Sequence, residues 1–482
     1  MLIVRVLLCL GTLANFITFS IGQEISDSDE EVFFDIDISL DENAFFDIDS
    51  GANVDNFFTG DQELEEESSA NSPYAITGSF RQNFTYGIAI PNEFFSRQKK
   101  GMEKINSELF LQVQGRPSNN TKIKINGLVD YDWGSWANDA YSLGGSEVNF
   151  ELKDFFIDVT SDSGLWIRLG NQIVARGEIE SVKISDIVNP IDISSPGQVE
   201  FKDIRIRVPA LFVSTPIGNA TTEIIVTNDA GSDKLGTTQS GSAFDYSILT
   251  DQIGIILPEG VSILSEDKEP SKSWETVARV NYKLNGGDIS FIGGEINWNQ
   301  NSLHAVKESI PLIFEYQFDR VKVAGISGNL VRGDYLLKYE AALNDGRKFQ
   351  STDPLTPWID GREVVTGAGL EYNGLGDIVL SVEVNNSNIL DYSNQISRDE
   401  NATGFILQAR WSGFNDLLSL YGSFNELSGD QSTISTVFVE YDLTDDLKFD
   451  GRLILYDASS QSDLFYTFKD QDVLKASIKY SF

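Results

Sequence analysis

From Ile76 onward the chain alternates apolar and polar residues with a period of two. In the first run Phe80, Phe84, Tyr86, Ile88 and Ile90 are apolar, and Ser79, Arg81, Asn83 and Thr85 lie between them. Leu109, Leu111 and Val113 then alternate with Glu108, Gln112 and Gln114. Ile123, Ile125, Val129, Tyr131 and Trp133 alternate with Lys122, Lys124, Asn126, Asp130 and Asp132. Such alternation marks a strand with one apolar and one polar face. Full charges on the polar face suit a watery interior.

The pattern returns in 274–284, before the hairpin-type turn Asn285-Gly286-Gly287. It recurs in Tyr335 to Leu343, Val364 to Tyr372, Phe405 to Trp411, Val437 to Tyr441 and Leu447 to Leu455. Helical periodicity is scarce. The expectation is an all-β chain of about 14 to 18 strands over residues 75–482, several of them near the ~10 residues that cross an outer membrane when tilted. The last strand places Leu474, Ala476, Ile478, Tyr480 and Phe482 on one face and Lys475, Ser477, Lys479 and Ser481 on the other. A terminal Phe with an aromatic two before it looks like the signal read by the outer-membrane barrel-insertion machinery, so Ile478, Tyr480 and Phe482 form the candidate assembly signal. The predicted fold is a transmembrane antiparallel β-barrel.

The first residues place this barrel in an envelope. Arg5 precedes an apolar run from Val6 to Phe19, too short to span a bilayer as a helix, and Ser20 and Gly22 supply the small residues of a cleavage site. A signal peptide over residues 1–22, cleaved after about Gly22, sends the chain to a Gram-negative outer membrane. Cys9, the only cysteine, lies inside that apolar run, so no disulfide holds the mature chain. A mean hydropathy of -0.16 with 40 glycines and 31 phenylalanines fits a barrel and equally a soluble sandwich, and does not decide between them.

Net charge is -37, which argues against nucleic acid as a partner. The charge is uneven: from Glu24 to Ala70 there are 17 acidic residues and no Lys or Arg. Residues 23–74 are too acidic to pack a core and are expected to be disordered. Within them Phe33-Phe34, Phe45-Phe46 and Phe57-Phe58 recur every twelve residues. These six phenylalanines are either docking elements for an inner-membrane exporter or periplasmic carrier, or part of a tether duplicated by slippage.

Catalytic chemistry has little to build on. His304 is the only histidine and no serine-centred nucleophile motif accompanies it. One His without a mature Cys makes no zinc site, and no phosphate-binding or dinucleotide fingerprint is present. No enzyme, cofactor or metal is expected. Acid pairs are too numerous to single one out.

One segment breaks the alternation. After a strand centred on Leu165, Ile167 and Leu169, the period of two stops near Gly177, and Asp186 to Asp192 reads as a turn punctuated by Asn189-Pro190. Such a segment either folds inward as a constriction or forms a surface loop. Read as a constriction, its pore-lining candidates are Arg176, Glu178, Glu180, Asp186 and Asp192.

The segment resembles the signature of a family of proteobacterial outer-membrane proteins carried as a domain of unknown function. Its members have a Gly-Arg-Gln run, then Trp-Gly-Glu, then Asp-Ile-Val-Asn-Pro-x-Asp or close variants. Gly170, Gln172, Gly177, Glu178, Asp186, Asn189, Pro190 and Asp192 match, and Arg207 to Ala210 resemble a downstream Arg-x-Pro stretch. The early strands, at 80–83 and 107–115, are also similar. Asn171 stands where the family has Arg, and Arg176 where it has Trp. The resemblance implies a porin-like barrel, often encoded beside RND-type exporters, hence traffic of lipids or hydrophobic compounds.

The combined expectation is a passive outer-membrane channel or export conduit for small solutes or lipids. The alternative is a partner-docking component of an RND-type export or lipid-transport system, and a hydrolase ranks last. Deleting residues 23–74 is expected to leave the barrel inserted, as read by heat-modifiable migration. Failure of the shortened chain to insert would overturn the division at residue 74.

Overall fold

A computed structural model describes residues 74–88, 101–133, 148–198, 204–229, 231–234, 261–264, 273–307, 312–353, 356, 358–427, 429, 431–460, 466, 469 and 471–482. The signal-peptide region and the six repeat phenylalanines Phe33, Phe34, Phe45, Phe46, Phe57 and Phe58 lie outside these residues. No helix occurs among those described.

Nineteen strands follow in chain order among the described residues. The first seven are β1 (Tyr74–Gly87), β2 (Gly101–Ser118), β3 (Thr121–Asp132), β4 (Val148–Thr160), β5 (Trp166–Gln172), β6 (Val208–Ile217) and β7 (Ala220–Thr227). Then come β8 (Val261–Leu264), β9 (Glu275–Leu284), β10 (Gly287–Lys307), β11 (Leu312–Arg332), β12 (Tyr335–Gln350) and β13 (Trp358–Leu375). The last six are β14 (Ile378–Ile389), β15 (Asn401–Gly413), β16 (Leu418–Glu426), β17 (Thr433–Thr444), β18 (Leu447–Asp457) and β19 (Val473–Ser481).

Consecutive strands pair antiparallel throughout, with β7 pairing directly to β9, and β1 pairs with β19. The wall is therefore a closed antiparallel barrel of 18 strands. β8 stands apart from that order and runs parallel to the start of β11, from Val261 opposite Leu312 to Leu264 opposite Glu315. Closure is what a bilayer demands, because an open edge would leave peptide groups unpaired in hydrocarbon.

The sequence pattern maps directly onto the two faces. Phe80, Phe84, Tyr86, Leu111, Val113, Ile125, Phe291, Leu337, Leu370, Ile478 and Tyr480 all point outward and are exposed. Thr85, Asn106, Lys124 and Asn126, which alternate with them, are buried on the inner side. An outer surface of exposed large apolar side chains over a polar interior is the lipid-facing belt of a membrane barrel.

The two ends differ. At one end the strands join through pairs such as Gly218-Asn219, Asn285-Gly286, Gly333-Asp334 and Gly376-Asp377, with the four glycines at φ 64°, 82°, 58° and 66°. Left-handed backbone at these points lets two residues reverse the chain in step with strand twist. The connections after β3, β5 and β7, at the other end, are long. By the rule for such barrels, short turns face the periplasm. Both Tyr74 and Phe482 lie at that end.

The seam that closes the barrel is well bonded. Gly78 and Phe482 exchange both backbone hydrogen bonds, at 2.8 and 2.9 Å, and Phe80 sits opposite Tyr480. A Cβ on Gly78 would fall 2.7 Å from the Phe482 ring, so the glycine makes room for the terminal aromatic. Tyr480 and Phe482 stack with centroids 6.3 Å apart. Deleting Phe482, or changing Tyr480 and Phe482 together to Ala, is expected to prevent stable insertion, because closing contacts and outer aromatics are lost at once. Wild-type amounts of heat-modifiable protein would contradict this.

Candidate functional site

The chain leaves the wall at the end of β5, and β6 takes the wall up again at Val208. Its departure is fastened by short-range polar contacts. At Gly170 (φ 140°) an added Cβ would collide with the Phe155 carbonyl at 2.1 Å, so only glycine lets the two strands approach. The Asn171 amide donates to Lys153 O at 2.5 Å, and the Gln172 amide to Ala210 O at 2.9 Å. Asn189 is fully buried: it accepts from Val174 N at 2.7 Å and donates to Ile206 O at 2.8 Å and Gln172 O at 3.2 Å. One side chain thus ties the beginning, the end and the return of the segment together.

Between these ties the chain lies inside the barrel. Val174, Ile179, Ile184, Ile187 and Val188 are each no more than 4% exposed. They pack on Val208, Ala210, Phe212, Ile225, Val277, Ile292, Ile296, Val321, Val323, Ala342 and Val365, the inward side chains of β6, β7 and β9 to β13. At roughly 1.5–3 kcal/mol per buried aliphatic side chain, five such residues hold this lobe with on the order of 10 kcal/mol. Gly367 of β13 supplies the space, since a Cβ there would meet Ile184 at 2.7 Å and Ile179 at 2.9 Å.

The lobe's backbone is received by wall carboxylates. Glu340 Oε1 accepts from Glu178 N and, at 3.2 Å, from Ile179 N, and its Oε2 accepts from Ser185 N at 3.3 Å. Glu383 Oε2 accepts from Glu180 N and Ser181 N, both at 2.9 Å. Asn385 donates to Ser181 Oγ at 3.2 Å. A second excursion continues past Asp192 to the far wall, where Tyr456 OH donates to Pro196 O at 2.5 Å and Gly197 lies against Ile434 and Ile454.

The five pore-lining candidates fall in different settings. Glu180 is exposed, facing Lys338. Glu178 is half-buried and accepts from Asn329 at 3.4 Å; burial, and then the nearby Asp288 carboxylate, push its pKa above the usual range. Asp192 is half-buried and turned back on Ser194, accepting from its N at 3.0 Å and its Oγ at 2.6 Å. Arg176 is neutralised by Glu223 at 2.8 Å, which Arg279 also reaches at 3.4 Å, and its guanidinium lies 5.0 Å from the Phe212 ring centre. Asp186 corrects the expectation: it is 3% exposed and paired with Arg205 at 2.5 Å, so it faces protein and not the lumen. The cause is the apolar lobe, which covers it.

Two neighbours complete this picture. Lys183 donates to Asn189 O at 2.6 Å and Asn299 Oδ1 at 3.1 Å, and burial lowers its pKa against the pull of Asp233, 4.0 Å away. Asp233 itself is pushed up by burial, opposed first by Lys183. Asn171 and Arg176 are absorbed in contacts with the wall, with Lys153 O and with Glu223.

On the opposite arc, charges remain accessible from inside. Lys104 and Asp132, on β2 and β3, keep 47% and 34% of their side chains exposed, and Lys448 and Glu440, on β18 and β17, keep 30% and 40%. His304 lies in β10. Sequence reasoning overlooked Glu340, Glu383, Arg205 and the structural part of Asn189. A signal existed in β13, where Gly367 and Gly369 occupy successive inward positions opposite Glu340 and Glu383.

A closed barrel with an apolar outer belt, a charged interior and a chain segment folded within it defines a membrane β-barrel of the outer-membrane class. Residues 114–482 match the family described as "Protein of unknown function (DUF1302)", and the chain belongs to that family. No curated protein matches the sequence. Among solved structures it is similar to OccK5 (OpdH) of Pseudomonas aeruginosa, with 10% identity, a TM-score of 0.48, and 85% of this chain and 98% of that one covered. It is also similar to OccAB3 of Acinetobacter baumannii, with 9% identity, a TM-score of 0.49 and coverage of 85% and 99%. A third, OpdK of Pseudomonas aeruginosa with vanillate, has 9% identity, a TM-score of 0.48 and coverage of 85% and 98%.

The buried pair offers a test. Arg205→Met leaves Asp186 without its guanidinium and is expected to cost about 3–5 kcal/mol. The barrel should then lose its heat-modifiable form at lower temperature, and adding Asp186→Leu should recover most of the loss. No change in the single variant would mean that the pair is exposed to water.

Proposed function

We propose that the protein is a passive outer-membrane channel for small solutes, with residues 173–198 as its constriction. The observation that carries this reading is the interior segment itself: its apolar lobe packs on one arc of the wall, its end reaches β17 and β18 through Pro196 and Gly197, and charged side chains stay accessible beside it. Packing a segment inside a wide barrel narrows it without sealing the polar arc. Residues in such confined water govern which ions pass, because low-dielectric walls focus the field.

The charge balance supports a cation preference smaller than the count of acids suggests. Asp186 and Arg176 are spent on Arg205 and Glu223, and Asp192 on its own turn. Glu180 and the half-buried Glu178 remain. Small polar solutes fit this passage better than lipids, since the accessible arc is lined by Lys, Asp and Glu.

Reversal potential across a bilayer with a potassium chloride gradient tests the assignment. Glu180→Gln is expected to move the potential toward zero by more than Asp186→Asn does. Because the Glu178 pKa is raised, its share of the preference should fade on acidification at a higher pH than an open carboxylate would. An effect of Asp186→Asn equal to that of Glu180→Gln, or selectivity flat with pH into the range of ordinary carboxylates, would contradict the reading.

A further inference from the structure

We propose that Glu340, Glu383, Gly367 and Gly369 form a seat for the turn Glu178 to Ser181, and that Glu340 and Glu383 are positioning residues which set the width of the passage; this rests on the channel reading above. The four residues come from three adjacent strands and occupy two successive inward rungs. Glu340 of β12 is opposite Gly367 of β13, which is opposite Asn385 of β14. On the next rung Lys338 is opposite Gly369, which is opposite Glu383. Two glycines side by side in the inward row make a notch. A Cβ at 367 would strike Ile184 and Ile179, and one at 369 would lie 3.2 Å from Glu383 Cγ.

The rims of the notch are carboxylates, and the turn presents donors to them. Glu340 and Glu383 are 3% and 1% exposed. A buried carboxylate needs donors in place of the water it has lost. Here they are the backbone N–H groups of residues 178, 179, 180, 181 and 185. Successive N–H groups converging on an anion make a nest, and bonds to a charged acceptor are about twice as strong as neutral ones. The side chains of the turn add to this in one place: Ile179 fills the space beside Gly367, while Glu180 stays exposed and Ser181 Oγ accepts from Asn385.

The two carboxylates are not equivalent. Glu340 uses both oxygens, Oε1 toward 178 and 179 and Oε2 toward 185. An amide there would turn an NH2 toward an N–H on one side. Glu383 uses Oε2 alone for both of its bonds, so an amide oxygen could still accept them. Glu340→Gln should therefore unseat the turn more than Glu383→Gln. Gly367→Val reaches the same end by bulk instead of charge.

Unit conductance of the full-length protein in planar bilayers, with potassium chloride as the probe, reads the width. Glu340→Ala with Glu383→Ala, and separately Gly367→Val, are expected to raise it by about twofold or more, since conductance follows the cross-section and polarity of the narrowest part. Glu340→Gln should raise it more than Glu383→Gln. A second measurement follows the seat without conduction: a thiol reagent of methanethiosulfonate type on Asn385→Cys, which the turn covers. Labelling should be slow with both carboxylates present and fast when both are Ala. Wild-type conductance in the double-alanine and Gly367→Val proteins that insert normally would overturn the proposal, and so would equal labelling rates. A wild-type protein that conducts nothing would refute the channel reading, while the labelling rates would still decide the seat.

Discussion

A peptide N–H or C=O left unpaired in hydrocarbon costs several kcal/mol, and the rest of this structure follows from avoiding that cost. Eighteen strands meet the demand only by closing, which they do where β1 and β19 exchange bonds from Ser79–Ser481 to Gly87–Val473. Once every wall peptide is committed to its neighbours, irregular chain at membrane depth has one place to go, the protected interior. Residues 173–198 take it. Their own backbone groups then need partners inside, and Asn189, Glu340 and Glu383 provide them.

This second round of pairing accounts for the distribution of charge within the barrel. Where the lobe covers the wall, ionised groups occur as tight pairs or clusters: Asp186 with Arg205, and Glu223 with Arg176 and Arg279. Where it does not, Lys104, Asp132, Glu440 and Lys448 keep much of their surface in contact with the lumen. A covered charge needs a partner because the alternative is an unsolvated ion, whereas an uncovered one is screened by water.

The same division explains what could be read from the chain before its structure was known. Strands with water inside them, such as β1, β3 and β19, announce themselves through strict alternation. β6 does not, because Leu211 faces lipid while Val208, Ala210 and Phe212 face the lobe, so both sides are apolar and the period vanishes. The break in alternation near Gly177 marked the segment that leaves the wall, and residues around it are fasteners: Gly170 permits close strand approach, and Gln172 and Asn189 hold the ends. The segment's acids were harder to judge. Asp186 looks identical to Glu180 in sequence, and only the position of Arg205, 19 residues downstream, distinguishes a neutralised charge from an open one. Glu340 and Glu383 were illegible as partners, since they lie 162 and 203 residues from the amides they receive.

Hydrogen–deuterium exchange of the folded barrel tests most directly whether the segment is built into the lumen. Amides whose bonds are buried against the wall open only with the structure around them. The account predicts that the amides of Val174, Ile179, Glu180, Ser181 and Ser185 exchange as slowly as those of β12 and β14, since Glu340 and Glu383 of those strands hold four of them and the buried Asn189 holds Val174. Exchange of these five within seconds, beside a slowly exchanging wall, would show a surface loop in water and would contradict it.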